Sequence, residues 1–89
     1  MRFSIFCGNL NYRLTEDELK NVFAPFGKVL DVRIIRDKLD RSRGFGFVDM
    51  ENEDAAARAT AALEGKELRG RRLRCNRADS ERQERRLSF

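Results

Sequence analysis

Histidine is absent from this sequence of 89 residues, and there are only two cysteines. These counts exclude a zinc site built from four cysteine and histidine ligands, and any catalytic triad that uses a histidine base. No apolar run approaches the roughly 18 residues that a membrane span needs, and residues 1–10 lack the long apolar region of a signal peptide. We therefore expect a soluble intracellular protein whose two cysteines remain reduced.

The residues that are present are sufficient for one small folded domain. Hydrophobic residues make up 40% of the chain, which is enough for a modest core and argues against wholesale disorder. A single core usually occupies about 100–150 residues, so this chain has no room for a catalytic domain and a separate regulatory domain. We expect residues 1–78 to form the domain and residues 79–89 to form a charged, flexible C-terminal tail.

Positive charge is concentrated in two segments of the chain. Lys and Arg number 19 and Asp and Glu number 15, which gives a net charge of +4. Residues 69–77 contain five arginines and no acid, and residues 33–43 contain five basic residues against Asp37 and Asp40. If both segments share one face, that face would attract a polyanion. The alternative, which charge alone supports equally, is a solvated surface whose arginines pair with nearby acids.

Two helices are indicated by end signals and by apolar spacing. Thr15 opens the first with a capping box that is completed by Glu18, and an apolar stripe follows until Pro25 and Gly27 end the helix. The second helix starts at residues 52–54, is rich in alanine, and is ended by glycine at position 65. Small side chains would let this helix pack close to a sheet.

Apolar alternation and turn residues predict four strands, at residues 3–7, 28–36, 44–50 and 71–76. The element order is then β-α-β-β-α-β. The compact arrangement for this order is an α+β, ferredoxin-like fold, in which a four-stranded antiparallel sheet with strand order 4-1-3-2 carries both helices on one face. The other face of the sheet would be open to solvent.

Strand parity divides the side chains of the first and third predicted strands between the two faces. Aliphatic residues would point toward the helices, whereas Phe6, Phe45 and Phe47 would be exposed on the open face. Three exposed phenylalanines on adjacent strands would form a costly apolar patch unless they had a role, and stacking on unpaired bases is such a role. The alternative is that these rings belong to an ordinary core.

Two segments resemble the signature motifs of one protein family. Arg43–Met50 (RGFGFVDM) is similar to the RNP1 motif of the RNA recognition motif family, and Ile5–Leu10 (IFCGNL) is similar to its RNP2 motif. The resemblance covers residues 3–78 and is greatest to compact bacterial proteins and to glycine-rich RNA-binding proteins, whose glycine-rich tail is missing here. Cys7 and Met50 depart from the usual residues of the motifs, and parity places both in the core.

The resemblance implies that the chain binds single-stranded RNA. Phe6 and Phe47 would stack on two consecutive bases, Phe45 would pack against the sugars between them, and Arg43 would contact a phosphate. Asp49, on the same face, would accept a hydrogen bond from a base amino group or repel a phosphate. Secondary contacts are expected from residues of open-face parity, of the loop after the second strand and of the end of the last strand, namely Arg33, Arg41, Arg74, Asn76 and Arg77.

Other classes of function find less support in the sequence. The glycines of the RNP1-like segment do not form a dinucleotide-binding loop, because Asp49 stands where the G-x-G-x-x-G pattern needs glycine. Cys7 and Cys75 lack the spacing of a redox or metal motif and are expected to be buried. The remaining alternatives are a module that docks other proteins and an acylphosphatase-like hydrolase of the same topology. The hydrolase has less support, because residues 9–14 do not form a loop that would cradle a phosphate. The resemblance implies no enzymatic activity and no cofactor.

The expected protein is a monomer without membrane association. It would act in the cytoplasm, or in the nucleus if the source is eukaryotic, as an RNA chaperone or a post-transcriptional regulator. Single-stranded DNA is a second candidate ligand.

Overall fold

The computed structural model describes residues 3–78, and the expectation for residues 79–89 lies outside this part of the chain. Within residues 3–78, no helix has the length and apolar character required to cross a membrane. The described elements, in chain order, are β1 (Phe3–Gly8), α1 (Glu16–Phe23), a 3₁₀ turn (Ala24–Phe26), β2 (Val29–Arg36), β3 (Ser42–Met50), α2 (Glu53–Leu63), β4 (Glu67–Leu68), β5 (Arg71–Arg72) and β6 (Arg74–Arg77).

The main sheet is antiparallel, with the strand order β2-β3-β1-β6. Since β6 takes the place of the fourth predicted strand, this order confirms the predicted order 4-1-3-2. The core lies between one face of this sheet and the two helices. Its buried residues include Ile5 and Cys7 of β1, Val48 and Met50 of β3, and residues of both helices. The helices leave the opposite face of the sheet uncovered, as predicted.

The capping box predicted at the start of α1 is present. The Thr15 hydroxyl accepts a hydrogen bond from the Glu18 backbone N–H at 3.2 Å, and the Glu18 carboxylate accepts one from the Thr15 backbone N–H at 3.0 Å. Leu19 and Phe23 are buried on the core side of the helix. After Phe23 the chain tightens into the 3₁₀ turn.

Gly27 allows the end of this turn to pack against the second helix. Its φ is 152°, and a Cβ at this position would lie 2.7 Å from the Ala55 Cβ. The Asn52 side chain caps α2 by accepting a hydrogen bond from the Ala55 backbone N–H at 2.8 Å. Alanines 55, 56 and 59 are buried, so the small side chains of α2 bring this helix close to the sheet, as expected.

Cys7 and Cys75 lie directly opposite one another on β1 and β6. Both are buried free thiols that form no disulfide. This confirms their predicted place in the core. The hydrogen bond that the Cys7 S–H shares with the Cys75 side chain, together with burial, raises the pKa of Cys7 far above its ordinary value. Met50, the other departure from the family pattern, is also fully buried.

The prediction of one continuous fourth strand over residues 71–76 was wrong, because this segment is divided between two sheets. Arg71 and Arg72 pair with Glu67 and Leu68 in a separate two-stranded sheet, and only β6 joins the main sheet. The separation occurs at Leu73, which is buried and whose backbone N–H donates to the Lys66 carbonyl at 2.7 Å. The third strand also begins earlier than predicted, at residue 42, because Ser42 pairs with Arg36.

Candidate nucleic-acid interface

Three phenylalanine rings lie together on the open face of the main sheet, and we call Phe6, Phe45 and Phe47 the aromatic platform. Phe6 of β1 is directly opposite Phe47 of β3. The ring centroids are 5.8 Å apart for Phe6 and Phe47 and 5.9 Å apart for Phe6 and Phe45, in edge-on and tilted orientations respectively. These separations are typical of aromatic pairs that contact one another.

Neighbouring rings partly cover one another, so the platform is half-buried and not fully exposed as the sequence had suggested. The faces themselves are assigned as predicted. Ile5 and Val48 alternate with the rings along their strands and are completely buried against the helices. Gly8 lies opposite Phe45, and a Cβ there would lie 2.9 Å from the Phe6 ring, so glycine leaves the space that this ring occupies.

Arg33 of β2 lies beside the platform. Its guanidinium carbon is 5.5 Å from the centroid of the Phe47 ring, which is within the range of a cation–π contact. Arg33 Nε is 3.3 Å from Asp31 Oδ2, and its side chain is 52% exposed. Gly46 supports this placement, because a Cβ there would lie 2.3 Å from the Arg33 carbonyl oxygen and would push β2 away from β3.

Asp49 lies on the open-face side of β3, as parity predicts, but it is not accessible to a ligand. Its side chain is only 1% exposed, and its carboxylate accepts a hydrogen bond from the Ser4 hydroxyl. Arg33 Nη2 lies 3.7 Å from the same carboxylate oxygen. The expectation that Asp49 meets a base amino group or a phosphate is therefore corrected. This buried carboxylate instead positions groups that border the platform.

Residues at the end of β6 point in different directions. Asn76 is exposed and lies opposite Phe6. Arg74 is exposed, and its Nε is 3.0 Å from Glu64 Oε2. The Arg77 side chain, by contrast, forms an ion pair with Glu53 in the first turn of α2 and is only 16% exposed. Arg77 is thus on the helix side, and only its backbone is near the end of the open face.

Arg41 and Arg43 lie at the loop that joins β2 to β3. Arg41 Nε is 3.0 Å from Asp37 Oδ2, while Arg43 is exposed at the start of β3. Hydrogen bonds from the backbone N–H groups of Arg41 and Leu39 lower the pKa of Asp37, and the arginine side chains assist. The structure therefore places Arg43 with an open path to solvent and ties Arg41 to its own loop.

Two asparagines of the β1–α1 loop hold the hairpin of β4 and β5. Asn9 Nδ2 donates to the Arg72 carbonyl at 2.8 Å, and Asn11 Nδ2 donates to the Arg69 carbonyl at 3.1 Å. Asn9 has a φ of 57°, a left-handed conformation that suits a turn. Sequence reasoning also missed the neighbouring Tyr12, which is 69% exposed. The signal for Tyr12 in the sequence was the presence of an aromatic residue in an otherwise polar loop.

The family model that matches this chain is the RNA recognition motif, over residues 5–74. The chain is 46% identical over 76 residues to the putative RNA-binding protein RbpE of Nostoc sp., covering 84% of this chain and 77% of that protein. It is 42% identical over 80 residues to the mitochondrial glycine-rich RNA-binding protein 2 of Arabidopsis thaliana, covering 89% and 51%.

A solved structure with the same fold is that of the RNA-binding protein PG1. It superposes with a TM-score of 0.83 at 44% identity, covering 85% of this chain and 93% of that one. Several curated relatives are much longer, and the chain spans between 25% and 51% of their length.

Proposed function

The chain belongs to the RNA recognition motif family, and from this premise we propose that it binds single-stranded RNA on the aromatic platform. The observation that carries the proposal is the grouping of three aromatic rings, within 6 Å of one another along the path Phe45–Phe6–Phe47, on the helix-free face of the sheet. Flat rings of this kind accept unpaired bases by stacking. Relatives whose names describe them as RNA-binding give further support.

We assign each platform residue a separate contact. Phe6 and Phe47 face each other across adjacent strands, so each can stack on one of two consecutive bases. Phe45 is one pleat away from Phe47 on the same strand face and would pack against the sugars between those bases. Arg43 is exposed beyond Phe45 and would hold a phosphate by charge-assisted hydrogen bonds.

Secondary contacts are proposed where side chains border the platform. Arg33 is already positioned over Phe47 and would lie beside a base stacked there. Asn76 is opposite Phe6 and can offer both a donor and an acceptor to a base edge. Arg41 and Arg74 would act through charge after their acid partners release them. Arg77 would contribute backbone groups, because its side chain pairs with Glu53.

A titration tests the proposal directly. Fluorescent pools of single-stranded RNA are titrated with the wild-type protein, with Phe6→Ala/Phe47→Ala, and with Leu39→Ala as control. Leu39 is an exposed apolar residue outside the platform. Each lost stacking contact is worth about 1–3 kcal/mol, so we expect the double variant to lose roughly 30-fold or more in affinity. The control should bind like the wild type.

The same titration with other nucleic acids defines the ligand. Duplex RNA should bind much more weakly than a single strand of the same sequence, because its bases cannot reach the rings. Single-stranded DNA is compared in the same assay to measure selectivity for RNA. Unchanged affinity of the double variant, with its fold intact by circular dichroism, would refute stacking on the platform. It would favour the alternative of a protein-docking module.

The cellular role that we propose is that of an RNA chaperone or a post-transcriptional regulator, acting as a monomer in the cytoplasm. A domain that only stacks on unpaired bases and holds a few phosphates is suited to either role, since both require binding of exposed single strands.

A further inference from the structure

A groove outside the aromatic platform lies between the β1–α1 loop and the β2–β3 loop. Its volume is about 650 Å³, which is within the range of small-molecule sites and can hold a nucleotide. We call it the loop groove. Its lining includes Tyr12 and Arg13 from the first loop, and Arg36, Asp37, Asp40 and Arg41 from the end of β2 and the second loop.

Tyr12 provides an aromatic surface in this groove. Its side chain is 69% exposed, the second-highest exposure among the large hydrophobic residues that the structure describes. The ring rests against the backbone of β3 at Gly44, where a Cβ would lie 3.1 Å from Tyr12 Cε1. Gly44 also has a φ of +84°, which side-chain-bearing residues rarely adopt. The glycine therefore gives the ring a flat support and leaves the rest of it accessible to a ligand.

The charges around the ring suit a nucleotide phosphate. Within residues 3–78, the Arg13 guanidinium forms no ion pair. Each acid of the groove lining has an arginine beside it. Arg41 Nε lies 3.0 Å from Asp37 Oδ2, and two backbone N–H groups of the same loop also donate to the Asp37 carboxylate. Asp40 is exposed, and its Oδ1 lies 3.8 Å from Arg36 Nε. Arg36 is similarly held by Glu16.

The loop groove continues the path of the aromatic platform. Gly44, against which Tyr12 rests, is adjacent in the chain to Phe45 of the platform. Arg43 precedes both and is exposed at the same end of β3. A strand that leaves Phe45 and passes Arg43 therefore arrives directly at Tyr12.

We propose that the loop groove binds one further nucleotide of the RNA strand, with its base stacked on Tyr12 and its phosphate held by Arg13. This inference rests on the proposed binding of RNA to the aromatic platform. The site differs from the platform in one testable respect. An RNA that occupies the platform reaches the groove only if it is long enough to pass the start of β3, so the contribution of Tyr12 depends on RNA length.

The test compares three substitutions of Tyr12 on two RNA lengths. Tyr12→Phe keeps the stacking surface, Tyr12→Leu keeps apolar packing against Gly44 without an aromatic face, and Tyr12→Ala removes both. With a single-stranded pool of about eight nucleotides, we expect the Leu and Ala variants to lose at least about fivefold in affinity. The Phe variant should stay within about twofold of the wild type, and a trinucleotide pool should not distinguish any of the three variants.

Phe47→Ala is measured alongside, so that the two proposals can fail separately. It should weaken the binding of both RNA lengths. If it does so while Tyr12→Leu binds the longer RNA like the wild type, Tyr12 only packs the loop and the groove proposal is overturned. Equal losses on both lengths for the Tyr12 variants would also overturn it, because Tyr12 would then act through the platform. If Phe47→Ala has no effect on either length, the proposed platform function fails instead.

Discussion

Asp49 illustrates how a side chain can lie on the open face of a sheet and still be inaccessible. Parity puts it on the same face as Phe47, but Ser4 and Arg33 cover its carboxylate. A buried carboxylate needs such partners, since an uncompensated charge in the interior is costly. Asp49 therefore has a structural role at the border of the platform, where it orients the Arg33 guanidinium. A neutral residue there would leave Arg33 less restrained beside Phe47.

The two cysteines permit a prediction at the same scale. Cys7 and Cys75 are 0% and 2% exposed, and the pKa of Cys7 is raised by its hydrogen bond with Cys75 and by burial. The reactive species is the thiolate, so both groups should react slowly with a thiol reagent in the native protein. The measurement is the labelling rate in buffer, with the rate in guanidinium chloride as the control. Rapid labelling of both thiols in the native protein would contradict their burial.

At the scale of elements, glycine decides how closely the strands and helices approach. Gly46 lies opposite Ile34 and allows β2 to pass within 2.3 Å of where its Cβ would be. Gly27 does the same for the turn after α1 and the first residues of α2. The sheet that carries the aromatic platform and the helices that support it are thus held at short range by residues that have no side chain of their own.

The capping box of α1 provides the element-scale prediction. Thr15→Ala removes the hydroxyl that accepts a hydrogen bond from the Glu18 N–H. Loss of an N-cap of this kind costs about 0.5–2 kcal/mol, so the free energy of unfolding should decrease by that amount in urea denaturation. Thr15→Ser, which keeps the hydroxyl, is the matched control and should retain most of the stability. No difference between Ala and Ser would show that the cap contributes little here.

Across the whole molecule, the positive charge is distributed less freely than the sequence count suggests. Many arginines of the two basic segments form an ion pair with an acid. The surface therefore combines the two alternatives, because some arginines are paired and others remain available to a polyanion. The pairs are Arg33–Asp31, Arg36–Glu16, Arg41–Asp37, Arg69–Glu18, Arg74–Glu64 and Arg77–Glu53. A polyanion would therefore meet a few available guanidinium groups and not a uniform basic face.

This distribution predicts a modest salt dependence of RNA binding. We expect about two to four neutralised phosphates, and hence a slope of log affinity against log salt of about −1.5 to −3 for a single strand. Arg43→Ala should flatten the slope by less than about one unit and leave base preference nearly unchanged. Affinities measured across a range of KCl concentrations give the slope. A much steeper slope would contradict this expectation, because more than four phosphates would then be neutralised.

The same ion pairs predict how stability depends on pH. The hydrogen bond from Arg36 lowers the pKa of Glu16, that from Arg69 lowers the pKa of Glu18, and the backbone N–H of Cys75 lowers that of Glu64. A carboxyl whose pKa is lower in the folded state stabilises the fold above its unfolded pKa of about 4. This contribution is lost as the pH falls through the lower folded value.

Thermal unfolding between neutral and acidic pH measures this effect. The melting temperature should change little until the pH approaches the ordinary carboxyl pKa, and it should then decrease. Glu16→Gln should weaken this decrease, whereas Asp17→Asn, at an exposed position in the same helical turn, serves as the matched control. A melting temperature that is constant through acidic pH would contradict a stabilising role for these pairs.

Local patterns in the sequence determined much of this protein. The capping box at Thr15 and the apolar spacing that follows it set α1, and Asn52 with the alanines sets α2, because these signals act within a few residues of the chain. Period-two alternation placed the platform rings on the face opposite Ile5 and Val48. The order of the elements predicted the sheet order, and the alternation predicted the grouping of the platform residues.

The tertiary structure alone decided the features that depend on partners distant in the chain. Arg77 turned toward the helices because Glu53, 24 positions earlier, meets it there. The predicted fourth strand divided because buried Leu73 bonds back to Lys66. The platform rings are half-buried because rings on two neighbouring strands contact one another. The Tyr12 ring of the β1–α1 loop packs against Gly44 of β3. Local propensity carries no information on such contacts, since they form only when packing brings separate segments together.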